Sequence, residues 1–300
     1  MPNWNAVLLE IQDEQAQSPF DRVRRKYLKQ LFKKTGRNVI AYYSGWLQKG
    51  DIRGVEISDD DKNALMSAIH KLDRSKGLDL ILHTPGGEVA ATESLVDYLR
   101  IMFGTNIRAV VPQIAMSAGT MIACACKEIV MGKPSNLGPI DPQFGGIPAY
   151  GVIEEFDRAK AEIKKDPSTI PIWREVIGKY HPTFIGECEK AIKWSSQIVG
   201  DWLETGMFDG DPNKKDKVKR IVKVLSNHKQ MKSHGRHIGM DDCVRLGLKI
   251  SEMEKLPKDL QDTFLTVHHT FMHSFGNTNA IKIIENHEGT AMVKMARLNK

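Results

Sequence analysis

Apolar and polar positions along the chain keep two rhythms, one of strands and one of helices. Asn38 to Tyr43 is a β-branched and aromatic run and reads as a strand. Ser58 with Asp61 resembles a capping box, and Ala64, Leu65, Ile69 and Leu72 then fall on one helix face. Leu78 to Leu82 is a short apolar run, so a buried strand, broken by His83-Thr84-Pro85-Gly86-Gly87. Glu88 to Met102 is amphipathic, with Val89, Leu95, Val96, Leu99 and Met102 inward. Ile107 to Val111 and Ile129 to Met131 read as the next strands, with a buried helix of small residues opening at Thr120 between them. Strand–helix–strand–helix–strand at this spacing predicts an α/β fold with parallel strands and right-handed crossovers.

The flanks differ. Residues 1–37 form a polar, helix-prone arm, and Phe20 to Lys34, with seven Lys/Arg, is expected to be a surface helix. After Gly145-Gly146 the pattern turns helical, at 152–165, Phe184 to Trp202, Val218 to Leu225, Asp241 to Leu248 and Leu260 to Phe275. A terminal hairpin is expected from Ile281–Ile284 and Ala291–Val293. The division that follows is an arm at 1–37, a core at 38–250 and an extension of helix and hairpin at 251–300. This is one α/β core with a helical C-terminal elaboration, not two independent domains.

At 300 residues, 41% hydrophobic and 27% charged, the chain is neither disordered nor a disulfide scaffold. No apolar run reaches the roughly 20 residues of a membrane helix, and Met1-Pro2-Asn3-Trp4-Asn5 does not open a secretory signal. A soluble, cytoplasmic protein without a membrane span is the expectation. The formal charge of +6 is local: between Lys214 and Arg236 stand nine basic residues and one acid. No aromatic residue interleaves with them, so the patch reads as a solvated face and nucleic acid is not expected. Cys124, Cys126, Cys188 and Cys243 lack zinc-knuckle spacing and read as small buried hydrophobes. His269 and His273 have helical ligand spacing, with His268 beside them, but lack the glutamate of His-Glu-x-x-His; no metal or cofactor is expected. Trp173, Trp194 and Trp202 are expected to pack helices.

Two links can carry chemistry. Gly86-Gly87, after a buried strand, lets the backbone turn sharply and expose N–H groups suited to a developing negative charge. Ala115-Met116-Ser117-Ala118-Gly119-Thr120 sets a serine between a strand and a helix, the logic of a nucleophile elbow, although Ala115 replaces the first glycine of G-x-S-x-G. Taken alone, each has a plain structural reading, a turn and a helix cap. Together they lie on consecutive strand-to-helix links, hence on one edge of the sheet, where open α/β sheets place their sites.

Thr84-Pro85-Gly86-Gly87, Met116-Ser117-Ala118-Gly119-Thr120 and Leu137-Gly138-Pro139-Ile140-Asp141-Pro142-Gln143 resemble the Clp-protease/crotonase superfamily. Within it the chain looks like the serine dehydrogenase proteinase family, related to signal-peptide peptidase A, over residues 38–250. The segment ending in Gly247-Leu248 is similar to that family's closing Ala-x-x-x-Gly-Leu, with Cys243 in place of alanine. The resemblance implies stacked ββα units, Ser117 as nucleophile, and an oxyanion hole from the N–H groups of Gly86 or Gly87 and of Ala118. It implies a peptide or protein substrate and a homo-oligomer.

The general base departs from the pattern. Clp-type proteases place a histidine where this chain has Asp141. Two repairs stand open. In the first, Asp141 and His234 are exchanged in chain order but equivalent in space, with His237 as the neighbouring fallback. Alternatively, a lysine serves, as in the signal-peptide peptidase relatives, and Lys160 on the 152–165 helix is the candidate. His83 reads as structural or substrate-lining. The leading function is a serine hydrolase acting on peptide bonds; the alternatives are a crotonase-like acyl-CoA enzyme and an inactive protease-fold scaffold that binds a partner.

Overall fold

The computed structural model describes residues 4–296 apart from 51 and 228–230. Strands in chain order are β1 (Asn38–Ser44), β2 (Leu78–His83), β3 (Ile107–Val111), β4 (Ile114–Ala115), β5 (Glu128–Met131) and β6 (Asn136–Leu137). They continue with β7 (Gln143–Phe144), β8 (Ile147–Pro148), β9 (Ile238–Gly239), β10 (Ile250–Glu252), β11 (Ala280–Asn286) and β12 (Ala291–Met295). A seven-stranded sheet has the order β10-β5-β3-β2-β1-β11-β12. From β10 to β1 the strands are parallel; β11 is antiparallel to β1, and β12 to β11.

The sheet is covered on both faces, which is why its central strands are apolar almost throughout. Alternate residues go to opposite layers. Ile40, Tyr42, Leu80, Leu82, Ala109 and Ile129 pack under the helices Asp60–Ile69, Val89–Phe103 and Ala118–Cys124. Val39, Ala41, Tyr43, Ile81, Val110 and Val130 meet the helices Pro19–Thr35 and Lys258–Asn277. The expected α/β core is present, with helices on both sides of a largely parallel sheet.

The stretch Phe20 to Lys34 departs from the expected surface helix. The helix Pro19–Thr35 buries Val23, Arg24, Leu28 and Leu31 along one face. Arg24 is 2% exposed. Its guanidinium donates to Glu285 Oε2 at 2.9 Å, Ser274 Oγ at 2.8 Å and Asp21 Oδ1 at 2.6 Å. A buried charge is tolerated when it is paired and fully hydrogen-bonded. The high count of basic residues hid an amphipathic face.

The terminal hairpin pairs as expected, and β11 lies inside the sheet, between β1 and β12, with Tyr43 opposite Ile283. A second, three-stranded sheet, β4-β6-β9, stands at the C-terminal side of β3. Around it lie the residues singled out for chemistry. Among the described residues no helix is long and apolar enough to cross a membrane.

Candidate active site

Ser117 occupies the turn from β4 into the helix Ala118–Cys124 with φ 52° and ψ −117°. For a residue with a side chain this backbone is strained by about 1–3 kcal/mol and persists only where its surroundings enforce it. The enforcement is local. Met116 N–H donates to Thr84 O at 2.9 Å, and Gly119 N–H to Met116 O at 2.7 Å. Thr120 Oγ donates to Ala115 O at 2.9 Å and accepts from Gly138 N–H at 2.9 Å. A Cβ on Gly119 would come within 2.5 Å of the Thr84 methyl, so glycine is required two residues after the serine. Ala115 is tolerated in place of the motif's first glycine because it is an ordinary strand residue of β4.

Gly86-Gly87 packs directly against this elbow. A Cβ on Gly86 would lie 2.6 Å from Ser117 Cβ and 3.0 Å from Ala118 N. Gly87 is crossed by Ile57: Ile57 N–H donates to Gly86 O at 2.8 Å, and Glu88 N–H donates to Ile57 O at 3.0 Å. In such a parallel bridge the N–H of the central residue, Gly87, points away from Ile57. Gly86 N–H is engaged by Thr84 Oγ at 3.2 Å. Among the described residues, neither Gly87 N–H nor Ala118 N–H meets an acceptor within the protein.

Asp141 and His234 come together. Pairing of β6 with β9 sets Leu137 opposite Ile238. The same number of steps onward from Leu137 and back from Ile238 brings Asp141 opposite His234. Asp141 is 1% exposed and its Oδ1 lies 2.8 Å from His234 Nδ1. Its other oxygen accepts from Gln143 Nε2 at 2.8 Å. Ser117, Gly86, Gly87, Asp141 and His234 all line one cleft of about 1240 Å³.

Other expected residues lie elsewhere. Lys160 is 77% exposed, pairs with Asp157 at 3.2 Å, and does not line the cleft. His237 is exposed and lines a smaller neighbouring cavity. His83 is fully buried under Trp46 and Tyr43, with neither ring nitrogen hydrogen-bonded among the described residues, so it is not substrate-lining. Burial holds it neutral, well below the usual histidine range, and pushes its neighbour His268 down to about 3. All four cysteines are buried, and burial raises the Cys126 and Cys243 thiols to about 12.

Trp173 and Trp202 are buried, but Trp194 is 40% exposed and lines the cleft instead of packing helices. Along the basic stretch, the helix Lys214–Leu225 buries Val218, Ile221 and Leu225 and leaves Lys215, Lys219 and Lys223 in solvent; Lys229 lies outside the described residues. The residues that sequence reasoning missed are Ile57, which clasps the glycine turn, and Trp194. No local signal marks Ile57; an aromatic on the polar face of an amphipathic helix was the available hint for Trp194.

Two uncharacterised proteins of Methanocaldococcus jannaschii are similar to this chain. One is 30% identical over 194 residues, covering 65% of the chain and 60% of the relative; the other is 31% identical over 171 residues, covering 57% and 51%. The aligned part thus spans little more than half the length of either curated relative. The model of the family described as ClpP-like SDH-type serine proteinase matches residues 6–273. With its serine elbow, glycine turn and Asp141–His234 pair, the chain belongs to the ClpP-like SDH-type serine proteinases.

Proposed function

We propose that this chain is a serine endopeptidase in which Ser117 is the nucleophile, His234 the general base and Asp141 the group that orients it. The observation that carries this reading is the 2.8 Å contact of His234 Nδ1 with buried Asp141, in the cleft that also holds Ser117. With Nδ1–H donated to Asp141, the Nε2 lone pair is left to accept a proton. Ser117 Oγ attacks the peptide carbonyl carbon and its proton passes to His234 Nε2. The carbonyl oxygen becomes an oxyanion between the Gly87 and Ala118 N–H groups. His234 then protonates the leaving amine as the C–N bond breaks, and water, deprotonated by His234, releases the acyl group.

Lys160 is set aside as base because it is exposed, pairs with Asp157 and does not line the cleft that holds Ser117. A homo-oligomer is what the resemblance implies. The deciding experiment is labelling with a fluorophosphonate probe, together with digestion of a peptide library. Wild type is expected to label and cleave, and Ser117→Ala to do neither. Acyl-CoA binding without labelling would instead favour a crotonase-like enzyme, and no labelling, cleavage or binding a scaffold.

A further inference from the structure

Lys282 lies on β11, beyond the family match at 6–273, and is 2% exposed. Its ammonium donates to Asp61 Oδ1 at 2.8 Å, Asp61 Oδ2 at 2.9 Å and the Glu56 carbonyl at 2.5 Å. Asp61, 3% exposed, also accepts from the Tyr42 hydroxyl at 2.7 Å and the Ser58 N–H at 3.0 Å. A buried ion pair adds little stability over apolar residues of the same volume. What apolar residues could not do here is grip two backbone groups. The gripped groups belong to Glu56 and Ser58, which flank Ile57. Ile57 in turn holds Gly86 O and Glu88 N–H across the glycine turn.

We propose that Lys282 is a positioning residue for catalysis: with Asp61 it clamps both sides of Ile57 and thereby fixes the Gly86-Gly87 turn beside Ser117. This rests on the reading of Ser117 as nucleophile and of the turn as an oxyanion donor. Lys282 does not line the Ser117 cleft; it borders an adjoining cavity of about 320 Å³ with Asp60 and Asp61. Its effect is therefore on the geometry of the turn and not on the substrate directly. Burial works against its charge and Asp61 supports it, the former more strongly.

The test follows fluorophosphonate inactivation of Ser117 to saturation, so that kinact and KI separate, with rates normalised to the folded fraction. Two variants are compared with wild type: Lys282→Met and the neutral pair Lys282→Met/Asp61→Asn. The second leaves no buried unpaired charge and carries the comparison should the first fail to fold. Both are expected to lose kinact by roughly 10–100-fold, short of the ~10²–10³ for outright removal of an oxyanion donor. KI is expected to stay near wild type, since nothing that touches the probe has been removed. A wild-type kinact in the folded variants, or a loss confined to KI, overturns the proposal. A wild type that does not label overturns the serine hydrolase reading beneath it.

Discussion

Gly87→Ala isolates the contribution of the glycine turn. At φ 159° Gly87 stands at the margin of a backbone region that L side chains rarely adopt, a secondary cost for alanine. The obstacle is Ile57. An added Cβ would sit 2.3 Å from both Ile57 N and Ile57 O, and neither atom can swing aside as a side chain does. Relief requires the two segments to part, which breaks Ile57 N–H to Gly86 O and Glu88 N–H to Ile57 O. Two hydrogen bonds at about 1 kcal/mol each, plus about 1–3 kcal/mol of overpacking, give a loss of roughly 3–5 kcal/mol. In a chain of 300 residues, whose unfolding entropy is about 0.6 kcal/mol/K, that lowers Tm by roughly 5–8 °C. The turn then misdirects Gly87 N–H, and the acylation rate should fall by about 10²–10³. Thermal melts and the rate of fluorophosphonate labelling at Ser117 measure the two effects. Gly36→Ala is the control: its φ is +67° with nothing within 4 Å, so it costs about 1–2 kcal/mol of backbone strain and should leave labelling unchanged. A folded Gly87→Ala that labels at the wild-type rate would refute the placement of the oxyanion donor.

Asp141→Asn should preserve the fold yet lower the rate of peptide or ester turnover by about 10³–10⁴-fold, because the amide favours the wrong His234 tautomer. Lys160→Ala should change that turnover by less than about twofold, as expected of an exposed lysine, and a large loss would restore lysine as the base. Buried neutral His83 and His268 both have folded pKa values below their unfolded ones, so the unfolded chain binds more protons as pH falls. Their stabilising contribution is complete above about pH 6.5 and declines below it, for His268 down to about 3, by about 1.4 kcal/mol per pH unit for each group. His83→Phe leaves no hydrogen bond broken, since neither ring nitrogen is engaged. Urea titrations should find it close to wild type at pH 8 and more stable at pH 5; equal acid sensitivity in the two proteins would count against the assignment.

Much of the fold was legible because alternation and helical spacing are local. The runs at β1, β2, β3 and β5 each mark a covered strand, and Gly86-Gly87 and Ser117 each mark a sharp turn after a strand. Ser58 and Asp61 were legible only in part. Asp61 accepts from Ser58 N–H as a capping box requires, but Ser58 Oγ has no partner among the described residues and Asp61 serves Lys282 and Tyr42 as well. Arg24 was misleading for a related reason, since charge count says nothing of a carboxylate that arrives from β11.

From its residues alone the chain determined its covered parallel strands, its serine elbow and its glycine turn, because each follows from the conformational needs of neighbouring residues. Tertiary structure alone brought His234 to Asp141 in the cleft and left Lys160 outside it, seated β11 beside β1, and brought Lys282 to Asp61. Periodicity states which face of an element is buried. It does not state what the face is buried against, and charge pairing between distant segments depends on that second fact.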